Sequence, residues 1–134
     1  MGARKRLAAE ARKENNRTRC VARLMDNNTS PRKTRLMADL IRGKNVDYAL
    51  NVLKYSKKES SEKIRKLLLS AIANWQAKNE NARIEDSNLY VKEIFVDGGT
   101  ILKRLRTAPQ GRGWRCRIRY STSHLRTASQ QGMG

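Results

Sequence analysis

The chain has 134 residues, 30 of them Lys or Arg against 12 Asp or Glu, with one His, two Cys and 38% apolar residues. That length suits about one domain with a modest core, so a multi-domain machine is not expected. A net charge of +18 speaks to solubility and partners rather than to fold, and the partner it calls for is a polyanion.

The charge is unevenly spread. Residues 1–23 hold eight basic and two acidic side chains, residues 24–97 fourteen and ten, and residues 98–134 eight and none. The middle therefore reads as an ordinary folded core between two basic arms. The opening "MGARKRLAAEARKENN" has a basic start but no continuous apolar segment, and its Glu10 and Glu14, with Ser absent, argue against a transit peptide. No run of about 18 apolar residues occurs, so a cytoplasmic chain with no membrane partner is expected.

"TRCVARLMDNNTS" alternates β-compatible residues and then turns, which predicts a strand over 19–26. A helix follows, with Ser30 as N-cap, Pro31 at its first position and Gly43 as its stop. Leu36, Met37, Leu40 and Ile41 are expected to form its apolar stripe, with Arg32, Lys33, Arg35 and Arg42 on other faces. A short second helix, about 46–54, is capped by Asn45 and can bury Ala49, Leu50 and Leu53. The third carries the strongest signal. "SKKE" at 56–59 fits a capping box, and Ile64, Leu67, Leu68, Ala71, Ile72 and Trp75 keep helical spacing up to about Lys78. Trp75 ends that stripe, which makes it a core residue rather than a ligand-stacking one.

"NENARIEDSN" is a polar loop. "LYVKEIFVDGG" is rich in β-branched and aromatic residues and predicts a strand ending at its Gly pair. The chain then runs extended to Thr107, turns through "APQGRG" and returns along "WRCRIRYSTS", which together predict a hairpin. Alternation on the return limb puts Arg115, Arg117 and Arg119 on one face and Trp114, Cys116, Ile118 and Tyr120 on the other. Residues 103–120 contain seven Lys or Arg and no acid.

An isolated two-stranded hairpin is marginal in water, and neighbouring arginines add repulsion, so this one needs a partner outside the chain. Phosphates supply the counter-charge that the guanidinium fork fits, while Trp114 and Tyr120 offer surfaces on which bases stack. The competing reading is a solvated arm with no ordered partner.

No catalytic constellation is present: no phosphate-binding Gly-rich loop, no H-E-x-x-H and no G-x-S-x-G. The adjacent acids Glu85 and Asp86 fall in a loop. Cys20, Cys116 and His124 cannot complete an ordinary zinc site, so no metal and no cofactor is expected. The cysteines read as small apolar side chains in a reducing compartment, and His124 as a loop or turn hydrogen-bonder.

The helix "SPRKTRLMADLIRGK", then "LLLSAIANW", "IFVDGG" and "RTAPQGRGWRCRIRYSTSH", resemble in content and in order the bacterial large-subunit ribosomal proteins of the L-twenty-two family, over about residues 20–124. The resemblance implies an α+β body of three helices on a small three-stranded antiparallel sheet, from which a long β-hairpin, about 98–121, protrudes through ribosomal RNA (rRNA) to line the nascent-peptide exit tunnel. It implies rRNA contacts at Ser30, Arg32, Lys33 and Arg35, which match the family's S-P-x-K-x-R block. Further contacts fall at Lys103, Arg104, Arg106, Arg112, Arg115, Arg117 and Arg119, with a tunnel-lining tip of Pro109, Gln110, Gly111, Arg112 and Gly113. Neighbouring large-subunit proteins and the nascent peptide are the other implied partners, and the implied place is the cytoplasmic large subunit.

The sequence departs from the family at Gln110 and Trp114, where basic residues are common, and in the polar ending "LRTASQQGMG", where the family usually continues an apolar strand. Residues 1–17 lie outside the basic pattern, as a short helix or an arm that orders on RNA, ahead of a single domain over 18–134. The rival function is a β-arm architectural DNA binder, which also carries a basic ribbon with Pro near its tip. An enzyme is a more distant alternative.

Overall fold

A computed structural model describes residues 2–79 and 87–128. Four helices, α1 (Gly2–Thr18), α2 (Pro31–Ile41), α3 (Val46–Tyr55) and α4 (Glu59–Lys78), accompany three strands, β1 (Cys20–Asn27), β2 (Tyr90–Thr107) and β3 (Gly113–Ala128). The strands form one antiparallel sheet in the order β1-β3-β2. The architecture is α+β, with α2, α3 and α4 on one face of the sheet.

Register explains which residues face the helices. Cys20, Thr127 and Val91 align across the sheet, then Ala22, Leu125 and Ile94, then Leu24, Ser123 and Val96. All are buried except the half-buried Leu24. Against them α4 lays Ile64, Leu67, Leu68, Ala71, Ile72 and Trp75, every one buried as the helical spacing requires. Each large apolar side chain removed from water this way contributes about 1.5–3 kcal/mol.

α2 buries a different stripe from the one its leucines suggest. Thr34, Met37, Ala38 and Ile41 point inward, while Leu36 and Leu40 are 52% and 51% exposed. Small Ala38 and Thr34 let the helix approach closely, and the Thr34 hydroxyl is satisfied by the Ser30 carbonyl at 3.1 Å and by Thr29 Oγ1 at 2.9 Å. Ser30 occupies the N-cap, but its hydroxyl makes no capping bond; its carbonyl accepts from Lys33 N and Thr34 N. Gly43 ends the turn at φ +71°, where its N–H reaches the Val91 carbonyl at 2.9 Å.

The capping box does not form. Ser56 instead caps the C-terminus of α3, its N–H bonded to the Val52 carbonyl, and α4 begins at Glu59 behind Lys58. The Ser61 hydroxyl donates to the Leu53 carbonyl, which ties the two helices across this short link.

The Gly pair does not end β2 either. The register slips by one residue between Gly98 and Ile101, a β-bulge, and the strand runs on to Thr107. At the other end β3 continues past His124 to Ala128, pairing with both neighbours, because Leu125 and Thr127 alternate inward and supply the buried face that the polar composition concealed. His124 therefore sits on the central strand, not in a loop. Glu85 and Asp86 lie outside the described residues, as do the last six residues of "LRTASQQGMG".

Side chains from the helices reach both sheet edges. Arg35 Nε donates to the Val96 carbonyl and Arg42 Nη2 to that of Ile94, each at 3.0 Å. On the far edge Asn74 Nδ2 donates to the Val21 carbonyl at 3.2 Å and Lys78 Nζ to that of Arg19.

Candidate nucleic-acid interface

β1 stops opposite Ser121, so beyond the bulge only β2 and β3 remain paired. This two-stranded arm keeps strict register from Ile101↔Arg119 to Thr107↔Gly113. From Ile101 to Thr107 a strand rises about 3.4 Å per residue, roughly 20 Å in all. No residue between 101 and 119 is buried, and Leu105 and Trp114 are 74% and 70% exposed.

Arg115, Arg117 and Arg119 share one face, as alternation requires, and the register adds Leu105, Lys103 and Ile101 directly opposite them. Arg104 and Arg106 point the other way, across from Cys116 and Trp114. Both faces of the arm are therefore cationic, and Lys103 stands opposite Arg117 with no acid between. Among the described residues none of Lys103, Arg104, Arg106, Arg112, Arg115, Arg117 and Arg119 forms an ion pair. The body differs: its exposed ion pairs include Arg42–Asp39 at 2.7 Å and Arg126–Glu93 at 3.4 Å.

The tip is a single 3-10 turn, Pro109–Gly111, closed by Ala108 N donating to the Arg112 carbonyl at 2.8 Å. Two consecutive residues, Gln110 (φ 61°) and Gly111 (φ 68°), take left-handed backbone there. Pro109, Gln110, Gly111, Arg112 and Gly113 thus form one compact turn at the far end of the arm.

The second cluster lies on the first turn of α2. Arg32 and Lys33 are exposed; Ser30, at the N-cap, is half-buried. Arg35 is exposed overall but commits Nε to the β2 edge in a part-buried bond, so its backbone-anchoring role accompanies any contact made by its outer nitrogens. The structure brings Arg35 to the root of the arm, just before the bulge; it does not bring Arg32 or Lys33 into hydrogen-bond contact with the arm.

Two cationic regions outside these expectations stand out. α1 is exposed from residue 3 to residue 16, with Lys5 and Arg12, and Arg6 and Lys13, each seven apart on adjoining stripes. The sheet face opposite the helices is open and carries Arg23, His124 and Phe95 in one row and Val21, Arg126 and Glu93 in the next. Phe95 had a sequence signal: it stands between Ile94 and Val96, both inward, so period-two alternation turns it out.

Among the described residues no group of three or more His, Cys, Asp or Glu is placed to hold a metal ion, and no helix is long and apolar enough to cross a membrane. Cys20 is buried in the core and Cys116 is half-buried on the arm; both are free thiols.

Comparison with known proteins agrees with this architecture. The model of the family described as Ribosomal protein L22p/L17e matches residues 22–128, which span β1 to the end of β3. The chain is 60% identical over 119 residues to a protein of Christiangramia forsetii named large ribosomal subunit protein uL22, covering 89% of this chain and 88% of that one. Proteins of the same name from Flavobacterium psychrophilum and Bacteroides thetaiotaomicron are 59% and 57% identical over the same length, covering 89% of this chain and 87% of each. A packed α+β body, an unburied cationic hairpin and these matches over most of the chain have one reading: the chain belongs to the ribosomal protein L22p/L17e family, and is a structural protein rather than an enzyme.

Proposed function

We propose that this chain is a structural constituent of the cytoplasmic large ribosomal subunit, bound to rRNA through its arm and the first turn of α2, with the hairpin threaded along the nascent-peptide exit tunnel. The observation that carries the proposal is the arm itself: six cations on its two strands and a seventh, Arg112, in the turn, with no buried residue and, among the described residues, no acid paired with them. Such a ribbon is stable only where an outside polyanion supplies the counter-charge, and phosphate suits the guanidinium fork. The names carried by its relatives give the particle.

In that setting Lys103, Arg104, Arg106, Arg115, Arg117 and Arg119 contact rRNA phosphates from both faces of the ribbon. Pro109 to Gly113 form the part of the arm nearest the nascent peptide, and neighbouring large-subunit proteins meet the body. Ser30, Arg32, Lys33 and Arg35 provide a second rRNA contact at the root.

The test is co-sedimentation of the chain with large ribosomal subunits after a high-salt wash, with competition between folded rRNA and duplex DNA. Retention with the subunit and preference for rRNA are expected. Loss from the subunit, or preference for the duplex with a dimeric mass in solution, would instead indicate the architectural DNA binder.

A further inference from the structure

The open face of the sheet holds the second feature that suits RNA. Phe95 on β2 and His124 on β3 are direct cross-strand partners whose rings stack at 5.0 Å between centroids and 23° between planes. Phe95 is 50% exposed although it sits on a paired strand, and among the described residues no helix covers this face. An exposed Phe ring backed by a half-buried His on an open sheet face gives a rigid surface on which another planar group can lie.

Its surroundings select that group. β2 is an edge strand, and the two carbonyls flanking Phe95, those of Ile94 and Val96, are held by the guanidinium groups of Arg42 and Arg35. On the other side Arg23 of β1 is the cross-strand partner of His124. Cations thus stand at the β2 edge and across the sheet from the aromatic pair, Arg42 sharing its guanidinium with Asp39 at 2.7 Å. Among the described residues two carboxylates flank Phe95 on this face: Glu93, paired with Arg126 at 3.4 Å, and Asp97, which stands 3.7 Å from His124 Nε2. A carboxylate there repels a phosphate but accepts a hydrogen bond from a base edge, so the group over the rings is a base and the backbone runs past the arginines.

We propose that Phe95 and His124 form a base-stacking site for an unpaired nucleobase of rRNA, with Arg23, Arg35 and Arg42 holding the flanking phosphates. It rests on the rRNA-binding function proposed above and adds to it a contact of a different physical kind. Arm contacts with phosphates release counterions and weaken steeply with salt, whereas stacking depends little on salt.

That difference gives the test. Affinity of the intact chain for large-subunit rRNA is measured across a salt series for the unaltered protein, Phe95→Leu, Phe95→Trp and the triple variant Arg115→Gln, Arg117→Gln, Arg119→Gln. Phe95→Leu keeps an apolar side chain but loses the ring, and is expected to bind roughly 5- to 100-fold more weakly at every salt concentration with an unchanged log-log slope. Phe95→Trp is expected to restore binding, while the triple variant flattens the slope. If Phe95→Leu binds like the unaltered protein while the triple variant still flattens the slope, the stacking site is refuted and rRNA binding by the arm stands. If the unaltered chain shows no preference for rRNA, both fall. Should Phe95→Leu lose its cooperative thermal transition, His124→Gln interrogates the same ring pair from the neighbouring strand: weaker binding at constant slope supports the site, and unchanged affinity overturns it.

Discussion

Along β3 the same alternation serves two different environments. Near its end Ser121, Ser123, Leu125 and Thr127 lie under the helices and are at most 3% exposed. A few residues earlier, on the same face of the same strand, Arg115, Arg117 and Arg119 meet only Leu105, Lys103 and Ile101 across the ladder. The backbone pairing is alike in both regions, so hydrogen bonding does not distinguish them. What differs is the covering layer: α2 and α4 cover the body's sheet, and nothing among the described residues covers the arm. A sheet gains its stability from what packs on it, and a bare ribbon that also carries like charges must gain it from elsewhere.

The contrast is broken most severely from the body side. Leu68 is fully buried on α4, and Leu68→Ala leaves a cavity expected to cost about 2–5 kcal/mol, read as a lower midpoint in urea at unchanged m-value. The rRNA salt slope of the protein that remains folded should not move. From the arm side, the triple Arg115, Arg117 and Arg119 to Gln variant should leave the unfolding midpoint within about 0.5 kcal/mol of the original, as surface changes do. Its rRNA log-log salt slope should fall by about 0.7–0.9 per lost phosphate contact. An unchanged slope would mean that these side chains do not reach phosphates.

The junction tests whether the regions are coupled. A Cβ on Gly99 would lie 3.3 Å from the backbone carbon and oxygen of Tyr120, so Gly99→Ala requires the β3 backbone to give by a few tenths of an ångström at the bulge. A loss of about 1 kcal/mol is expected, comparable to other small overpacking changes. The smallest effect is expected from the largest excision. Removing residues 104–117 and closing the strands with a short Gly-containing turn takes no residue of the core, so thermal unfolding should stay cooperative with its midpoint little changed or slightly raised. Loss of the transition would show that arm and body are one cooperative unit.

The parts of this molecule that could be read in advance are those where one physical signal dominates. The six-residue stripe of α4 and the alternation of the return limb are both of this kind. α2 misleads because two leucines outrank Ala38 and Thr34 in hydrophobicity, while the close approach of helix to sheet favours the small pair. "SKKE" misleads because a local capping pattern lost to the short link between α3 and α4, where Ser56 is already engaged at the end of α3. The Gly pair signalled irregularity correctly, but as a bulge inside a strand rather than a stop. Of the candidate interface, the arm's cations and turn were legible as composition and period. The presence of cations on both faces needed the register, and so did the Phe95–His124 pair, since the one-residue slip at the bulge decides which residues of β2 and β3 stand opposite each other.

The arginine and lysine side chains that hold the outer carbonyls of the sheet bear on the life of the chain before it meets any partner. A sheet with exposed edges invites a second copy to add a strand, which is a route to aggregation. Here Arg35 and Arg42 occupy acceptors on the β2 edge, and Asn74 and Lys78 do the same beside β1. Where β2 runs on past the bulge with no such cover, Lys103, Arg104 and Arg106 would bring like charges face to face in any paired copy. On the function proposed above, the positive side chains assigned to rRNA also keep newly made copies apart, so that solubility before assembly and attachment afterwards follow from one distribution of charge.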